Sequence, residues 1–138
     1  MPNRAETIID TIAAVLRDAG STPQDFDLIL TGDLGRIGSD LLLELLERED
    51  GIQLQDVHND CGLMIFDRNT QDVHAGGSGC GCSAAVLCAH ILPAMERGVW
   101  RRVLFAGTGA LMSPLTCQQG CSIPGVCHAV TIERREGV

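Results

Sequence analysis

The 138-residue sequence contains no lysine and no tyrosine, and its ten basic residues are all arginine. Aromatic side chains make up only 3% (Phe26, Phe66, Phe105 and Trp100), so any core must be built from aliphatic and small side chains. No basic run or aromatic platform appears. The formal charge of −8 repels nucleic acid and anionic lipid alike. No apolar run approaches the roughly 20 residues that cross a bilayer as a helix. The opening residues, Met1 to Glu6, lack the apolar segment of a secretory leader. The expectation is a soluble chain, intracellular or peripheral to a larger body.

What is abundant is small. Sixteen glycines and an apolar fraction of 45% fit one globular domain that relies on close backbone approach. Seven cysteines are many for this length, but the count is odd and a reducing compartment disfavours disulfides. Most are expected to be small buried hydrophobes.

Apolar positions from Ile8 to Ala19 recur at helical spacing and stop at Gly20. Phe26 to Thr31 reads as a strand and Gly32 to Gly38 as a glycine-spaced turn, with a helix from Leu41 to Arg48. Leu63 to Phe66 reads as a short strand, 83–97 as a helix, and Arg102 to Ala106 and Val126 to Glu133 as strands. This alternation predicts an α/β layered sheet. From Ala84 to Met95 the helix has almost no polar face, so it needs cover on two sides, and a second layer must come from elsewhere. Pro93 should kink it or end its regular hydrogen bonding. His90 within it reads as a hydrogen-bonded core histidine.

The least generic stretch is Ala75-Gly76-Gly77-Ser78-Gly79-Cys80-Gly81-Cys82-Ser83. It matches neither the dinucleotide fingerprint nor the Walker A loop, so no cofactor is indicated. It reads either as a cradle of backbone N–H groups for a carboxylate or phosphate, or as a packing turn where larger side chains clash. Cys80, Cys82 and Cys88, with His74 and His90 nearby and a His58/Cys61 arm, match structural zinc spacing poorly, and no metal is expected. Cys82 at a helix start is a candidate nucleophile, with His58, His74 or His128 as candidate bases and a packing role as the alternative. Asp33 follows the carboxyl end of a strand, where α/β sheets bind ligands, and Asp60 precedes one; each either orients a ligand or fixes a turn.

These motifs together resemble the stage V sporulation protein AD (SpoVAD) family. The residues that carry the resemblance are Thr31-Gly32-Asp33-Leu34-Gly35, Asp60-Cys61-Gly62 and the run from His74 to Ala84. They continue with Thr108-Gly109-Ala110-Leu111-Met112-Ser113-Pro114, Gln118-Gln119-Gly120 and Ile123 to Val130, so that the likeness extends from about Ala5 to Glu133. It implies a thiolase-like α/β fold of two similar halves. This chain would be the C-terminal half only, a mixed sheet packed with helices, as a single unit over 1–138 with the N-terminal half absent.

In condensing members of that superfamily a histidine and an asparagine serve a cysteine nucleophile, and the matching positions here are about Gly32 and Gly81. The resemblance therefore implies a non-catalytic protein. It further implies binding of dipicolinic acid, alone or as its calcium chelate, for uptake into the developing spore. Partners would be membrane proteins of the same sporulation operon, and the chain's own N-terminal half or a second copy in a homodimer. The place would be the cytoplasmic face of the spore inner membrane in the forespore, peripherally bound. The expected ligand contacts are Gly77, Ser78, Gly79 and Cys82, with His74 or Asp33 at the rim. The rival readings are an acyltransferase using Cys82 or Cys80, and a purely structural subunit of a spore membrane complex.

Overall fold

The first helix, α1 (Arg4–Asp18), presents Ile8, Ile9, Ile12 and Leu16 on one face, and all four are buried. The chain then turns through Gly20, whose φ of +62° suits a residue without Cβ. In this computed structural model the described residues are 4–67, 69–77, 81–110 and 125–135. A 3-10 turn at Pro23–Asp25 leads into strand β1 (Leu28–Thr31), every residue of which is buried. Helix α2 runs over Gly35–Leu45 and widens into a π turn at Leu46–Asp50. Strand β2 (His58–Asp60) passes directly into the short helix α3 (Cys61–Met64).

Three pieces then form one rod: α4 (Cys82–Val86), a π turn (Leu87–Ile91) and α5 (Leu92–Glu96). Strands β3 (Arg102–Ala110) and β4 (Gly125–Glu133) follow. The sheet order is β2-β1-β3-β4. Both neighbours of β1 run parallel to it, whereas β4 is antiparallel to β3. The architecture is α/β, a mixed four-stranded sheet packed with helices, consistent with one thiolase-like half.

Alternation along the strands divides the core. Ile29, Leu104 and Ala106 face α1 and α2, where Ile8, Ile12, Leu42, Leu46 and Leu54 are fully buried. Leu28, Leu30 and Val103 face the opposite side and pack on Cys61, Cys82, Val86, Ile91 and Met95. Each large aliphatic so buried contributes about 1.5–3 kcal/mol. Asp27 fastens the start of β1 to β3, its carboxylate accepting from the Arg101 and Arg102 amides at 2.7 and 3.1 Å.

Several expectations need correction. Residues 63–66 form no strand; the apolar run enters a helix because Asp60 caps it, accepting from the Gly62 amide at 3.0 Å. The segment from Gly32 to Gly38 is not all turn, since helix begins at Gly35, whose φ is +71°. His90 is exposed, edge-on to Trp100 with ring centroids 5.7 Å apart, because Ile91 and Ala94 occupy the sheet-facing side.

The rod does depart from regular α-geometry beside Pro93. Proline lacks the N–H for the ladder and its ring crowds the carbonyl four residues back; a widened turn relieves both. One flank of the rod is covered by the sheet. The other, with Ala84, Ala85, Cys88, Ala89 and Leu92, is open, so Cys88 is not the buried hydrophobe expected.

Candidate functional site

The carboxyl ends of β1 and β2 lie side by side, with Thr31 paired to Asp60 in register. Asp60 is fully buried there and joins four elements. Its Oδ1 accepts from the Thr31 hydroxyl at 2.5 Å and the Leu34 amide at 3.0 Å; its Oδ2 accepts from the Gly35 and Gly62 amides, each at 3.0 Å. A buried carboxylate needs such partners, and with these four its acceptor capacity is met within the protein. Asp60 thus fixes the turn that follows β1 and the starts of α2 and α3. Of its two open roles the structure supports the turn.

Around that hub the expected residues divide. Gly32 is buried, and the Cys82 thiol points to its carbonyl at 3.9 Å. Asp33 is half-buried and close enough to both the Cys82 and Cys61 thiols for its charge to act on them. Gly77 is buried, donating to the Gly62 carbonyl at 2.6 Å. Gly81 is exposed, and a Cβ there would meet nothing within 4 Å. His74 does not join the group: its side chain is exposed, at φ +50°, with Asp72 at 3.9 Å. Ser78, Gly79 and Cys80 lie outside the described residues, as does 111–124.

The glycine-rich stretch does pack tightly where it is described. A Cβ on Gly76 would run into the Gly62 carbonyl oxygen, and one on Gly77 into Ile65. The Ala75 carbonyl accepts from the Arg36 amide at 2.8 Å. This strand of backbone is therefore laid against α3 and the first turn of α2, and the packing role holds for Gly76 and Gly77.

The thiols here are not activated. Burial pushes Cys61 up to about 12, with the charges of Asp60 and Asp33 and the Cys82 group adding to the effect. Cys82 is raised as well, by burial first and then by Asp33 and Asp60. The negative neighbours outweigh any help from the start of α4, so both remain thiols at neutral pH, the unreactive form. Nor is His58 a base for Cys82. Its Nε2 lies 3.0 Å from the Thr31 hydroxyl, in a second layer behind Asp60. The sequence put Thr31 at a strand end but Asp60 ahead of a strand, whereas Asp60 closes β2 and leads into a helix; the engagement of His58 had no local signal. Among the described residues no group of three or more His, Cys, Asp or Glu side chains can hold a metal ion.

An apolar cleft of about 220 Å³ opens beside this region, between α3 and the open flank of the rod, lined by Met64, Ile65, Ala85, Val86, Ala89 and His90. Two larger clefts, of about 550 and 510 Å³, lie at the end of α1 and beside the end of β4, and neither touches Cys82 or Asp33.

The sequence profile of the family described as Stage V sporulation protein AD (SpoVAD) matches residues 3–133. The chain belongs to that family. A curated relative, Stage V sporulation protein AD of Bacillus subtilis (strain 168), is 44% identical over 133 residues. That alignment takes in 96% of this chain and 39% of the relative, so the chain spans well under half of the relative's length. SpoVAD membership makes this a protein of sporulation. No helix among the described residues is long and apolar enough to cross a membrane.

Proposed function

We propose that the chain forms part of a non-catalytic dipicolinate site, serving uptake of that ligand into the developing spore. The observation that carries the reading is the state of Cys82. Its thiol is buried, packed on the Gly32 carbonyl and held protonated by burial and the nearby Asp33 and Asp60 charges, and glycine stands at about the two positions, 32 and 81, that the resemblance matches to the condensing histidine and asparagine. On this reading a small-residue floor stands where condensing relatives keep their acid–base side chains. Such a floor suits close approach of a flat ring over Cys82 and Gly77, with Asp33 at its rim; Ser78 and Gly79, the other expected contacts, lie outside the described residues. Asp33 opposes a bare dianion, so the calcium chelate, with its charge neutralised, is the form that suits the site. His74, exposed beside Asp72, is not used in this reading.

The open flank of the rod supports a second part of the proposal. Its small side chains take another layer, either the N-terminal half of the same fold or a second copy. Membrane proteins of the same operon, at the cytoplasmic face of the spore inner membrane, are the proposed wider partners.

Calorimetric titration tests the binding claim. Dipicolinate, with and without calcium, is added to this chain joined to the N-terminal half of a family member. A saturable heat and a raised melting temperature are expected, larger with calcium. No heat and no thermal shift on an intact fold overturns the proposal. An acyl-CoA donor releasing CoA in a Cys82-dependent manner would restore the acyltransferase alternative.

A further inference from the structure

We infer that His58 is a positioning residue for the candidate site: through the Thr31 hydroxyl it holds the Asp60 carboxylate that fixes the turn from β1 into α2, and uptake of a proton by His58 loosens that turn. The link to ligand affinity rests on the binding reading above; the link to the turn does not.

The chain of atoms is short. His58 Nε2 is 3.0 Å from Thr31 Oγ1, and Thr31 Oγ1 is 2.5 Å from Asp60 Oδ1. A threonine hydroxyl has one proton to give, and the carboxylate takes it. Its oxygen must then accept from the ring, so neutral His58 carries its proton on Nε2. Beyond Thr31, Asp60 holds the Leu34 and Gly35 amides, which immediately follow Gly32 and Asp33. A half-buried ring on β2 is thus connected through two side chains to the backbone that shapes the site.

The surroundings set the direction of the response. Burial lowers the affinity of the ring for a proton below the ordinary histidine value of 6.5, and the Asp60 charge only partly restores it. No charge on β1, α2 or α3, the elements packed on β2, adds a further shift. The ring is neutral at pH 7. As pH falls below 6.5 the unfolded chain takes up this proton more readily than the folded one, and stability declines until the folded ring is also protonated. A charged ring that swings outward to hydrate leaves Thr31 without its donor. One that moves toward Asp60 takes a carboxylate oxygen from Leu34 or Gly35. In the first case the Thr31 hydroxyl that steadies Asp60 is no longer held in place, and in the second the turn itself loses a hydrogen bond.

The test uses the 138-residue chain and nuclear magnetic resonance from about pH 7.5 to about pH 5. The His58 ring carbons and the Leu34, Gly35 and Gly62 amides are expected to shift with one common midpoint below 6.5. Amides that ignore the His58 titration overturn the inference. Dipicolinate affinity, measured with the N-terminal half joined, is expected to fall roughly threefold to tenfold across that midpoint. His58→Leu, which cannot donate to Thr31, weakens binding at every pH. His58→Gln donates but does not titrate, so it restores binding and flattens the profile. An unchanged pH profile in His58→Gln also overturns the inference. Absence of binding at any pH overturns the functional reading instead, and the amide shifts then decide the turn alone.

Discussion

Asp60 is the residue on which most of the local geometry depends, and its environment separates two kinds of substitution. Asp60→Ala removes the acceptor of the Thr31 hydroxyl and of three backbone N–H groups in the interior. Leaving such donors unpaired is expected to cost about 3–5 kcal/mol. Thr31→Val removes one donor and leaves Asp60 its three amides, so the expected loss is about 1–2 kcal/mol. Urea unfolding followed by circular dichroism measures both. Equal losses would show that the hub is not centred on Asp60. The sequence revealed that Asp33 follows a strand and that Asp60 can fix a turn. It did not reveal that Asp60 reaches back to Leu34 and Gly35, because that contact spans 26 residues and depends on two strands lying in register.

At the level of elements, the periodic ones were legible and the capped ones were not. α1 could be read from Ile8, Ile9, Ile12 and Leu16, and β3 and β4 from their apolar runs, because burial selects those spacings. The start of α2 escaped because Leu34 and Gly35 look like turn residues until the Asp60 carboxylate caps them. The helix at Cys61 escaped for a related reason: four apolar residues, 63–66, fit a strand equally well, and only the cap decides.

The glycines provide the sharper element-scale test. Gly76 combines φ +125° with a Gly62 carbonyl oxygen where a Cβ would lie, and backbone on both sides cannot yield easily. Gly76→Ala is expected to destabilise the chain by about 2–4 kcal/mol. Gly81→Ala, with φ −94° and open space around it, is expected to change stability by less than about 0.5 kcal/mol. Thermal melts of the two variants discriminate packing from mere glycine richness. Similar melting temperatures would remove the packing role assigned to the 75–77 strand of backbone.

For the whole molecule the question is what the open flank of the rod does. An all-apolar helix was legible in the sequence; of the two covering layers expected for it, the chain itself supplies one, the sheet. Which side the chain itself covers depended on the sheet. Val86, Ile91, Ala94 and Met95 meet the sheet, while Ala84, Ala85, Cys88 and Ala89 face outward. Leu92, 41% exposed, extends this outward face. Contiguous apolar surface of this kind drives association. A small outward side chain can be replaced by a charged one without touching the core, so fold and association can be separated. Ala89→Glu is expected to leave the cooperative melt of the isolated chain within about 0.5 kcal/mol of the parent, because position 89 is exposed. The same variant is expected to abolish the self-association of the isolated chain, and its pairing with a separately produced N-terminal half, since a carboxylate would be buried there without a partner. Light scattering reads the first effect and size-exclusion of the mixture the second. If the parent chain is a monodisperse monomer that ignores the N-terminal half, or if Ala89→Glu associates as the parent does, the open flank is not an interface.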